Sequence, residues 1–519
     1  MDSTRQTEAT GVAVDGERFR LRRFLESLQG TDELQIVDDP VDLADVARIL
    51  EDNARAVWFK QVGPERAELA GNVTASRGRL AAALGVTPDK LLPAMMSRLA
   101  SRPQMVEVAR ETAPVQQVVL TGADADFTKL PANLQHGFDG GPYISASIDF
   151  AKDQRTGFTN VGVRRLMLRG RQEAGVDLMS PSDLRMIYQA SVARGERLPV
   201  SFVVGCHPLD CIAATMRLPI DELGIVGSLR NAPTPVVKCV TNGIMVPADA
   251  EYVLEGYVDE KGYVEPEGPY GEFLGYYGGV KHNPVFHLTA ITHRRDPLFQ
   301  TMTISGKSMG ATDTAMLSAL RTEVMIWRAL EGAVRQPLAV YATGSSGGMF
   351  NVRIALRQIV PGEARNAIAA AFGSLANVKN VFVVDPDIDI FSDQQIDWAL
   401  ATRFQANRDL VVDDGFRALP LDPSLAGGRI GAKAGFDLTW PFGMEDKLER
   451  HVPAPPEHKG KRFDSVEAAL ADGPKFFEEL MDAIGSRDGR EVVVMLEGWR
   501  GGGRLSRDER GRYRLDGDR

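Results

Sequence analysis

Residues 116–311 constrain the fold most, because short strand-like runs crowd this part of the chain and long helical patterns are few. Many of the runs carry β-branched residues and are bounded by Gly, Pro or Asn, a pattern typical of strands. The runs are 117–120, 143–150, 162–168, 200–204, 236–240 and 286–292. Such a series of short strands predicts a β-barrel or a β-sandwich.

The regions on either side mix helices and strands. Before the strand-rich region, helices are predicted over 18–28 and 78–84, the second ending at Gly85. After it, a helix is predicted over 312–331, followed by alternating strands and helices at 337–342, 364–372, 378–384 and 394–402. This alternation predicts α/β domains with some parallel strand pairing. We therefore predict a multidomain α/β protein with a disordered N-terminus at 1–16 and domains at 17–115, 116–311 and 312–460.

Residues 461–519 form a separate tail in this prediction. It is expected to hold one helix at 465–484, one strand at 491–496 and a hairpin at 503–515. The tail is dense in Arg, Asp and Glu. That composition indicates a solvated or subunit-facing addition.

Residues 267–272, Glu-Gly-Pro-Tyr-Gly-Glu, place two carboxylates five positions apart in a segment that favours neither a helix nor a regular strand. Pro269 fixes its own φ angle and lacks a backbone donor, while Gly268 and Gly271 permit positive φ. The segment is therefore predicted to be a tight turn that holds Glu267 and Glu272 on one surface. Taken alone, it could also be a surface turn with two solvated acids.

Three further segments precede this turn in a fixed order. They are residues 160–165 (Asn-Val-Gly-Val-Arg-Arg), 181–184 (Pro-Ser-Asp-Leu) and 219–222 (Pro-Ile-Asp-Glu), the last ahead of Gly227. Together with the 267–272 turn, these segments resemble the UbiD-like family of reversible decarboxylases. The resemblance covers the chain from about Asn72 to Gly443. The order of the four segments is specific, although no single one is. The resemblance implies a central split β-barrel that holds prenylated FMN with a divalent metal and usually a potassium ion.

The resemblance places the metal at Asn160, Asp183 and Glu222. All three carry oxygen donors, which suit a hard ion such as Mn²⁺ or Mg²⁺ beside a phosphate. The family has histidine in the middle position, so Asp183 departs from the pattern and makes the site more negative. Asp183 also has a plain alternative role, because it falls in the first turn of a helix predicted to start near Pro181, where the helix dipole favours an acid.

Besides Asn160, two residues are expected to bind the cofactor. Lys433 ends a glycine-rich basic segment, 427–433, that is predicted to be a mobile loop, and a flexible lysine there suits a phosphate. It matches the lysine of the family's Gly-x-Lys segment, although it could also be a solvated loop lysine. Met216 resembles the segment whose backbone contacts the flavin ring.

Loss of CO₂ from an sp² carbon leaves an in-plane carbanion, so the reaction needs an electron sink that only a cofactor can supply. The resemblance gives this role to prenylated FMN. Arg165 is expected to bind the substrate carboxylate or to pair with Glu267, which keeps it aligned, and Glu272 to donate the proton. Arg164 is the neighbouring alternative, but in a strand it would point to the opposite face.

The substrate is expected to be an aromatic or heteroaromatic carboxylic acid of the phenazine or hydroxybenzoate type. Phe436, Leu438 and Trp440 follow Lys433 and offer an apolar set that could face an aromatic ring. They could equally pack inside the domain. The resemblance also implies a homodimer or larger homo-oligomer, and a flavin prenyltransferase that supplies the cofactor.

Composition excludes several other classes. The net charge of −10 argues against general binding to a nucleic-acid backbone. No run of 18 apolar residues is present and residues 1–16 lack the apolar core of a signal peptide, so we expect no membrane contact and a cytoplasmic location. The three cysteines, Cys206, Cys211 and Cys239, fit a reducing compartment without disulfides, and the first two are expected to pack in the core.

Two other functions remain open at this point. An FMN-dependent reductase could use the same barrel, and it would consume NADH. A non-catalytic scaffold subunit could keep the fold without the chemistry, and Asp183 in place of histidine favours it.

Overall fold

The computed structural model describes residues 15–101, 104–374, 377–444 and 455–516. The described residues up to 443 form one compact unit, and those from 444 onward form a second. The predicted disorder of 1–16 falls almost wholly outside the described residues. The domain boundaries proposed from the sequence stay predictions.

The N-terminal region is α/β, as the sequence predicts. Its elements are α1 (Leu21–Ser27), β1 (Leu34–Val37), α2 (Leu43–Glu51), β2 (Ala56–Val62), β3 (Ala67–Gly71), α3 (Arg77–Leu84), α4 (Leu91–Leu99) and β4 (Met105–Glu107). The hydroxyl of Ser76 accepts a hydrogen bond from the Arg79 amide at the start of α3, and Gly85 ends the helix with φ of 72°. A cap with a polar acceptor and a left-handed glycine explains why this helix begins and ends where it does.

The strand-rich region folds into a closed barrel. Its strands are β5 (Val118–Thr121), β6 (Tyr143–Lys152), β7 (Thr159–Leu168), β8 (Glu173–Val176), β9 (Leu198–Val204), β12 (Tyr252–Val258) and β17 (Val285–His293). Six of them pair antiparallel in the order β12-β9-β6-β7-β8-β17, and β12 also pairs with β17, which closes the ring. β5 adds to the outside of β17. The predicted split β-barrel is therefore confirmed.

The remaining elements of this region decorate the barrel. They are α5 (Asp183–Ala193), α6 (Pro208–Ala213), α7 (Glu222–Arg230), β10 (Thr234–Lys238), β11 (Met245–Pro247), β13 (Glu265–Glu267), β14 (Tyr270–Gly271), β15 (Tyr277–Gly278), β16 (Lys281–Asn283) and β18 (Leu298–Gln300). β18 completes a four-stranded sheet with β1, β2 and β3, and β10 lies between β11 and β4. The run predicted at 236–240 is thus a strand, but it lies in a separate sheet outside the barrel.

The two faces of the barrel wall bury different apolar clusters. Along β9, Phe202 packs in the same cluster as Phe286, with ring centroids 4.9 Å apart, while its neighbour Val203 belongs to the cluster on the other face. This alternation follows the two-residue period of a strand. Cys206 and Cys211 are buried in the second cluster, as predicted, and neither forms a disulfide.

The C-terminal part of the first unit is a second α/β region. It contains α8 (Asp313–Glu331), β19 (Pro337–Ala342), β20 (Asn351–Leu356), α9 (Glu363–Gly373), β21 (Asn380–Val384), α10 (Asp393–Arg403), α11 (Ala406–Asp409), β22 (Leu410–Arg417) and β23 (Ile430–Asp437). The sheet order is β19-β20-β21-β23-β22, with parallel pairing from β20 through β21 to β23. The predicted α/β region with some parallel pairing is confirmed.

The mobile loop predicted around Lys433 was wrong. Lys433 lies inside β23 rather than in a mobile loop. Phe436 stacks on Phe382 with ring centroids 4.7 Å apart, and Leu438 is fully buried in an apolar cluster with Ile388. Phe436 and Leu438 therefore pack inside the domain, which was the alternative that the sequence left open, because their side chains fill the space between the sheet and its helices.

The second unit contains α12 (Val466–Ala471), α13 (Phe477–Ile484), α14 (Arg490–Gly501), β24 (Leu505–Arg507) and β25 (Tyr513–Leu515). The predicted hairpin is confirmed, and the single helix predicted at 465–484 is two helices interrupted near Gly473. The strand predicted at 491–496 is wrong, since this stretch forms α14. Val492 and Leu496, four residues apart, are both buried on one face of that helix, so packing overrides the strand propensity of a valine run. In the described ranges, no helix is long and apolar enough to cross a bilayer.

Candidate active site

The Glu267–Glu272 segment consists of two short strands joined at a cis Gly268-Pro269 bond. β13 pairs with β16 and β14 pairs with β15, so the segment is more regular than the predicted free turn. Gly268 has φ of 94°, a value that favours glycine. Gly271 is needed for space instead, because a Cβ there would lie 2.4 Å from Nδ1 of His136.

The structure brings the three predicted catalytic residues together. Arg165 extends from β7, and its Nε lies 3.3 Å from Oε1 of Glu267. Its two terminal nitrogens each lie 3.2 Å from an oxygen of Glu272. Both glutamates are buried. Arg164 points to the opposite face of the strand, as predicted, where its Nε lies 3.0 Å from Oδ1 of Asp149.

The sequence motifs did not reveal several partners of this cluster. Asp177 binds Arg165 through a contact of 2.8 Å between Oδ2 and the guanidinium. Lys281 places its Nζ 3.2 Å from Glu272 Oε1 and 3.4 Å from Asp177 Oδ2. Burial opposes the charge of Asp177, but Arg165 and Lys281 together hold its pKa below the usual range. The cluster thus holds two cations among three carboxylates.

Glu267 is held from two more sides. The hydroxyl of Tyr143 donates to Glu267 Oε1 at 3.0 Å, and Nδ2 of Asn283 donates to Oε2 at 3.2 Å. The guanidinium of Arg165 also lies 4.3 Å from the ring centre of Tyr270. A buried polar network with this many partners fixes the orientation of each member. The arrangement can present one arginine to an anionic carboxylate and pass a proton through Glu272.

The predicted metal ligands also converge. Asn160, in β7, Asp183, at the start of α5, and Glu222, at the start of α7, line the same two cavities, of about 710 Å³ and about 170 Å³. Nδ2 of Asn160 donates to Asp149 Oδ2 at 2.7 Å, and Oε2 of Glu222 accepts from the Val161 amide at 2.7 Å. The first of these bonds leaves the Asn160 carbonyl oxygen for another partner.

The charge at this site fits a divalent cation. Burial, together with the nearby charges of Asp183 and Asp149, raises the pKa of Glu222 to about 7. A cation among these oxygens would relieve that repulsion, and oxygen donors are what Mg²⁺ and Mn²⁺ prefer. In the described part of the chain, no group of three or more His, Cys, Asp or Glu side chains could hold a metal. The candidate site therefore depends on the Asn160 amide as its third ligand.

The two residues expected at the cofactor differ in outcome. Met216 lines the 170 Å³ cavity together with Asn160 and Glu222. Lys433 lines a different cavity, of about 380 Å³, and its Nζ donates to the carbonyl of Phe372 at 2.7 Å. The structure therefore does not bring Lys433 to the metal ligands, because β23 holds its side chain against its own domain.

Comparison with known proteins places these features in a family. Models of the 3-octaprenyl-4-hydroxybenzoate carboxy-lyase N-terminal, Rift-related (UbiD) and C-terminal domains match residues 25–99, 106–308 and 315–438. Anhydromevalonate phosphate decarboxylase from Methanosarcina mazei is 30% identical over 433 residues, which cover 83% of this chain and 98% of the relative. The chain belongs to the UbiD family.

Other UbiD-family relatives span nearly the same length. Phenolic acid decarboxylase from Bacillus subtilis is 29% identical over 82% of this chain and 93% of its own. The UbiD-class enzyme HmfF from Pelotomaculum thermopropionicum, solved with FMN, superposes with a TM-score of 0.79 at 31% identity over 85% of this chain and 98% of HmfF. An evolved dimeric form of HmfF with prenylated FMN gives 0.76 at 30% identity, over 85% and 99%. These matches confirm the predicted class, a decarboxylase.

Proposed function

We propose that this UbiD-family protein catalyses the reversible, non-oxidative decarboxylation of an aromatic or heteroaromatic carboxylic acid with prenylated FMN. The observation that carries the proposal is the ion-paired cluster of Arg165, Glu267 and Glu272, which joins a carboxylate-binding cation to a buried proton carrier. The complex of HmfF with prenylated FMN supports the choice of cofactor.

Each residue of the cluster has a distinct role in the proposal. Arg165 binds the substrate carboxylate and holds it in line for loss of CO₂. Glu267 keeps the guanidinium in place, helped by the Tyr143 hydroxyl that binds the same oxygen. Glu272 delivers a proton to the carbon that has lost CO₂, and takes one up in the reverse direction.

The cofactor would be held at the cavities beside β7. Asn160, Asp183 and Glu222 would hold Mn²⁺ or Mg²⁺ against its phosphate, and Met216 would contact the flavin from the 170 Å³ cavity. A potassium ion is expected nearby. The prenylated flavin, when bound, supplies the electron sink that no side chain can provide.

Substrate identity rests on the relatives. The phenolic acid decarboxylase of Bacillus subtilis supports an aromatic acid, of the hydroxybenzoate or phenazine type. A phosphorylated acid is the second candidate, because the Methanosarcina mazei relative is an anhydromevalonate phosphate decarboxylase and Arg217 and Arg321 line the 170 Å³ cavity beside the metal ligands. We further propose a cytoplasmic homodimer or larger homo-oligomer that receives its cofactor from a flavin prenyltransferase, in keeping with the dimeric form of HmfF.

The test is to co-express the protein with a flavin prenyltransferase and identify the released small molecule by mass spectrometry. We expect the protein to release prenylated FMN and to contain bound manganese. We also expect it to release CO₂ from at least one aromatic acid, and the Glu272→Gln variant to lose this activity. Unmodified FMN with consumption of NADH would instead support the reductase. Absence of both flavin and metal after anaerobic purification would support the scaffold.

A further inference from the structure

A short segment of chain, residues 135–140, runs alongside the turn that carries Glu272, and we call this segment the brace. It binds the three residues that precede Glu272, each by one hydrogen bond. The bonds join Gly140 N to Pro269 O at 2.8 Å, the Tyr270 hydroxyl to Gln135 Oε1, and Gly271 N to Asp139 Oδ1 at 2.9 Å. Nε2 of Gln135 also donates to the Met302 carbonyl at 3.0 Å, so the brace is anchored outside the turn.

Asp139 is the centre of the brace. Its side chain has no exposed surface and accepts from three N–H groups. These are the amides of Gly271 and His136, each at 2.9 Å, and Nδ1 of His136 at 3.0 Å. Because a carboxylate oxygen accepts, Nδ1 is the ring nitrogen of His136 that carries a proton. Charge-assisted hydrogen bonds of this kind hold their donors firmly in place.

The imidazole of His136 packs directly against Gly271. A Cβ on Gly271 would lie 2.7 Å from Cγ and 2.8 Å from Cε1 of the ring, so glycine is the residue that leaves room for this contact. Edge-on contacts with Tyr270 and Tyr277, at centroid distances of 5.7 and 6.3 Å, keep the ring in position. The backbone of Gly271 is therefore held both by the Asp139 carboxylate and by the imidazole.

Glu272 needs a support that does not depend on its own charge. In the proposed reaction its carboxyl group gains and loses a proton, and Arg165 binds the substrate carboxylate. The ion pair between Arg165 and Glu272, now 3.2 Å long, weakens whenever Glu272 is protonated. The hydrogen bond from the neighbouring Gly271 amide to Asp139 is the same in both protonation states.

We propose that Asp139 and His136 are positioning residues, which set the place of the Glu272 carboxyl group by fixing the amide of Gly271. The inference deepens the proposed function and rests on it for the role of Glu272 as proton donor. In the described part of the chain, no hydrogen bond or ion pair joins Asp139 or His136 to Arg165 or Glu267. Binding of the substrate carboxylate should therefore not depend on the brace.

The first test removes the carboxylate of the brace. The purified full-length enzyme with its cofactor is assayed for kcat and KM well below its melting temperature. Asp139→Ala should lower kcat about 10- to 100-fold, the effect of misplacing a catalytic group by about 1 Å, and change KM less than about two-fold. The control is Glu363→Ala, which removes a buried carboxylate that accepts three backbone amides at the start of α9. It should lower the melting temperature and leave both kinetic constants near the wild-type values.

The second test uses the contact between His136 and Gly271. Gly271 lacks a positive φ, so its backbone accepts alanine, but the added methyl group would press on the imidazole. Gly271→Ala should therefore lower kcat by about 10-fold or more. His136→Ala removes the ring, so the double variant should be more active than Gly271→Ala alone. If His136 only supported the fold, the two losses would add instead.

Hydrogen exchange measured by mass spectrometry reports on the brace without any substrate. The amides of residues 270–277 should exchange faster in Asp139→Ala than in the wild type or in Glu363→Ala. Faster exchange with an unchanged kcat would overturn the positioning role, and so would a double variant no more active than Gly271→Ala. Unchanged exchange in Asp139→Ala would refute the brace itself. A wild type that decarboxylates no acid would refute the proposed function, which is a different result from either of these.

Discussion

Replacing Gly278 by alanine is expected to impair catalysis because it displaces the side chain of Glu272. Gly278 lies in β15 and pairs with Tyr270, and its backbone φ is one that alanine adopts. A Cβ at this position would lie 2.8 Å from Oε1 of Glu272 and 3.2 Å from its Cγ. The added methyl group therefore presses directly on the carboxylate that we assign as the proton donor.

The distances set the size of the effect. Comfortable non-bonded contacts are about 3.5 Å or longer, so the carboxylate must retreat by roughly 0.7 Å. Oε1 now lies 3.2 Å from both Arg165 and Lys281, at the upper end of hydrogen-bonding distance, so a shift of this size weakens or breaks these contacts. Misplacing a catalytic group by about 1 Å can cost on the order of 10²-fold in rate. We therefore expect kcat to fall by about 10- to 100-fold.

The matched control is the next residue. A Cβ on Gly279 would meet no atom within 4 Å, and this glycine also lacks a positive φ. The assay measures kcat and KM for both alanine variants with the same acid, together with their melting temperatures. If Gly278→Ala is as active as Gly279→Ala at an unchanged melting temperature, Glu272 does not act from the position described.

Three further predictions address other parts of the molecule. Lys281→Met should lower kcat about 10-fold with little change in KM, because one of the two cations beside Glu272 is lost. Glu222→Gln should weaken Mn²⁺ binding at least about 10-fold by EPR titration, since a charged ligand is removed. Burial and Arg230 lower the pKa of His207 to about 3, whereas an unfolded histidine titrates near ~6.5. The unfolded state then binds the extra proton, and His207 should destabilise the fold by about 1 kcal/mol at ~pH 5.5 and by almost nothing at ~pH 8.

Each of these predictions has a control. Lys281→Arg should restore most of the activity, and failure to do so would argue for a role other than charge. Glu173→Gln changes an exposed glutamate and should leave Mn²⁺ affinity unchanged. His207→Asn keeps an acceptor for the Leu209 amide at the start of α6, so its melting temperature should fall less than that of the wild type between ~pH 8 and ~pH 5.5. Equal falls in both proteins would contradict the assignment.

Local chemistry explains what the sequence predicted well. Ser76 and Gly85 delimit α3 because a cap acceptor and a left-handed glycine act within one turn of the helix. The alternating faces of the barrel strands are equally local, so strand positions and the barrel class could be predicted. Lys433 was assigned to a loop because glycines near a lysine suggest one, whereas sheet pairing extends a strand through them.

Long-range pairing decided the rest of the site. Lys281 reaches Glu272 because β16 pairs with β13 in a register that sets Lys281 opposite Glu267, and no pattern around residue 281 reveals that register. Asp177 follows β8 and meets Arg165 only because β8 lies beside β7 in the barrel. Sequence motifs therefore predicted three members of the cluster, which are Arg165, Glu267 and Glu272. Lys281 and Asp177 balance the charge of these three residues, and the barrel sets the positions of both. All members of the cluster should be tested as one unit, since members of a buried charge network do not contribute additively.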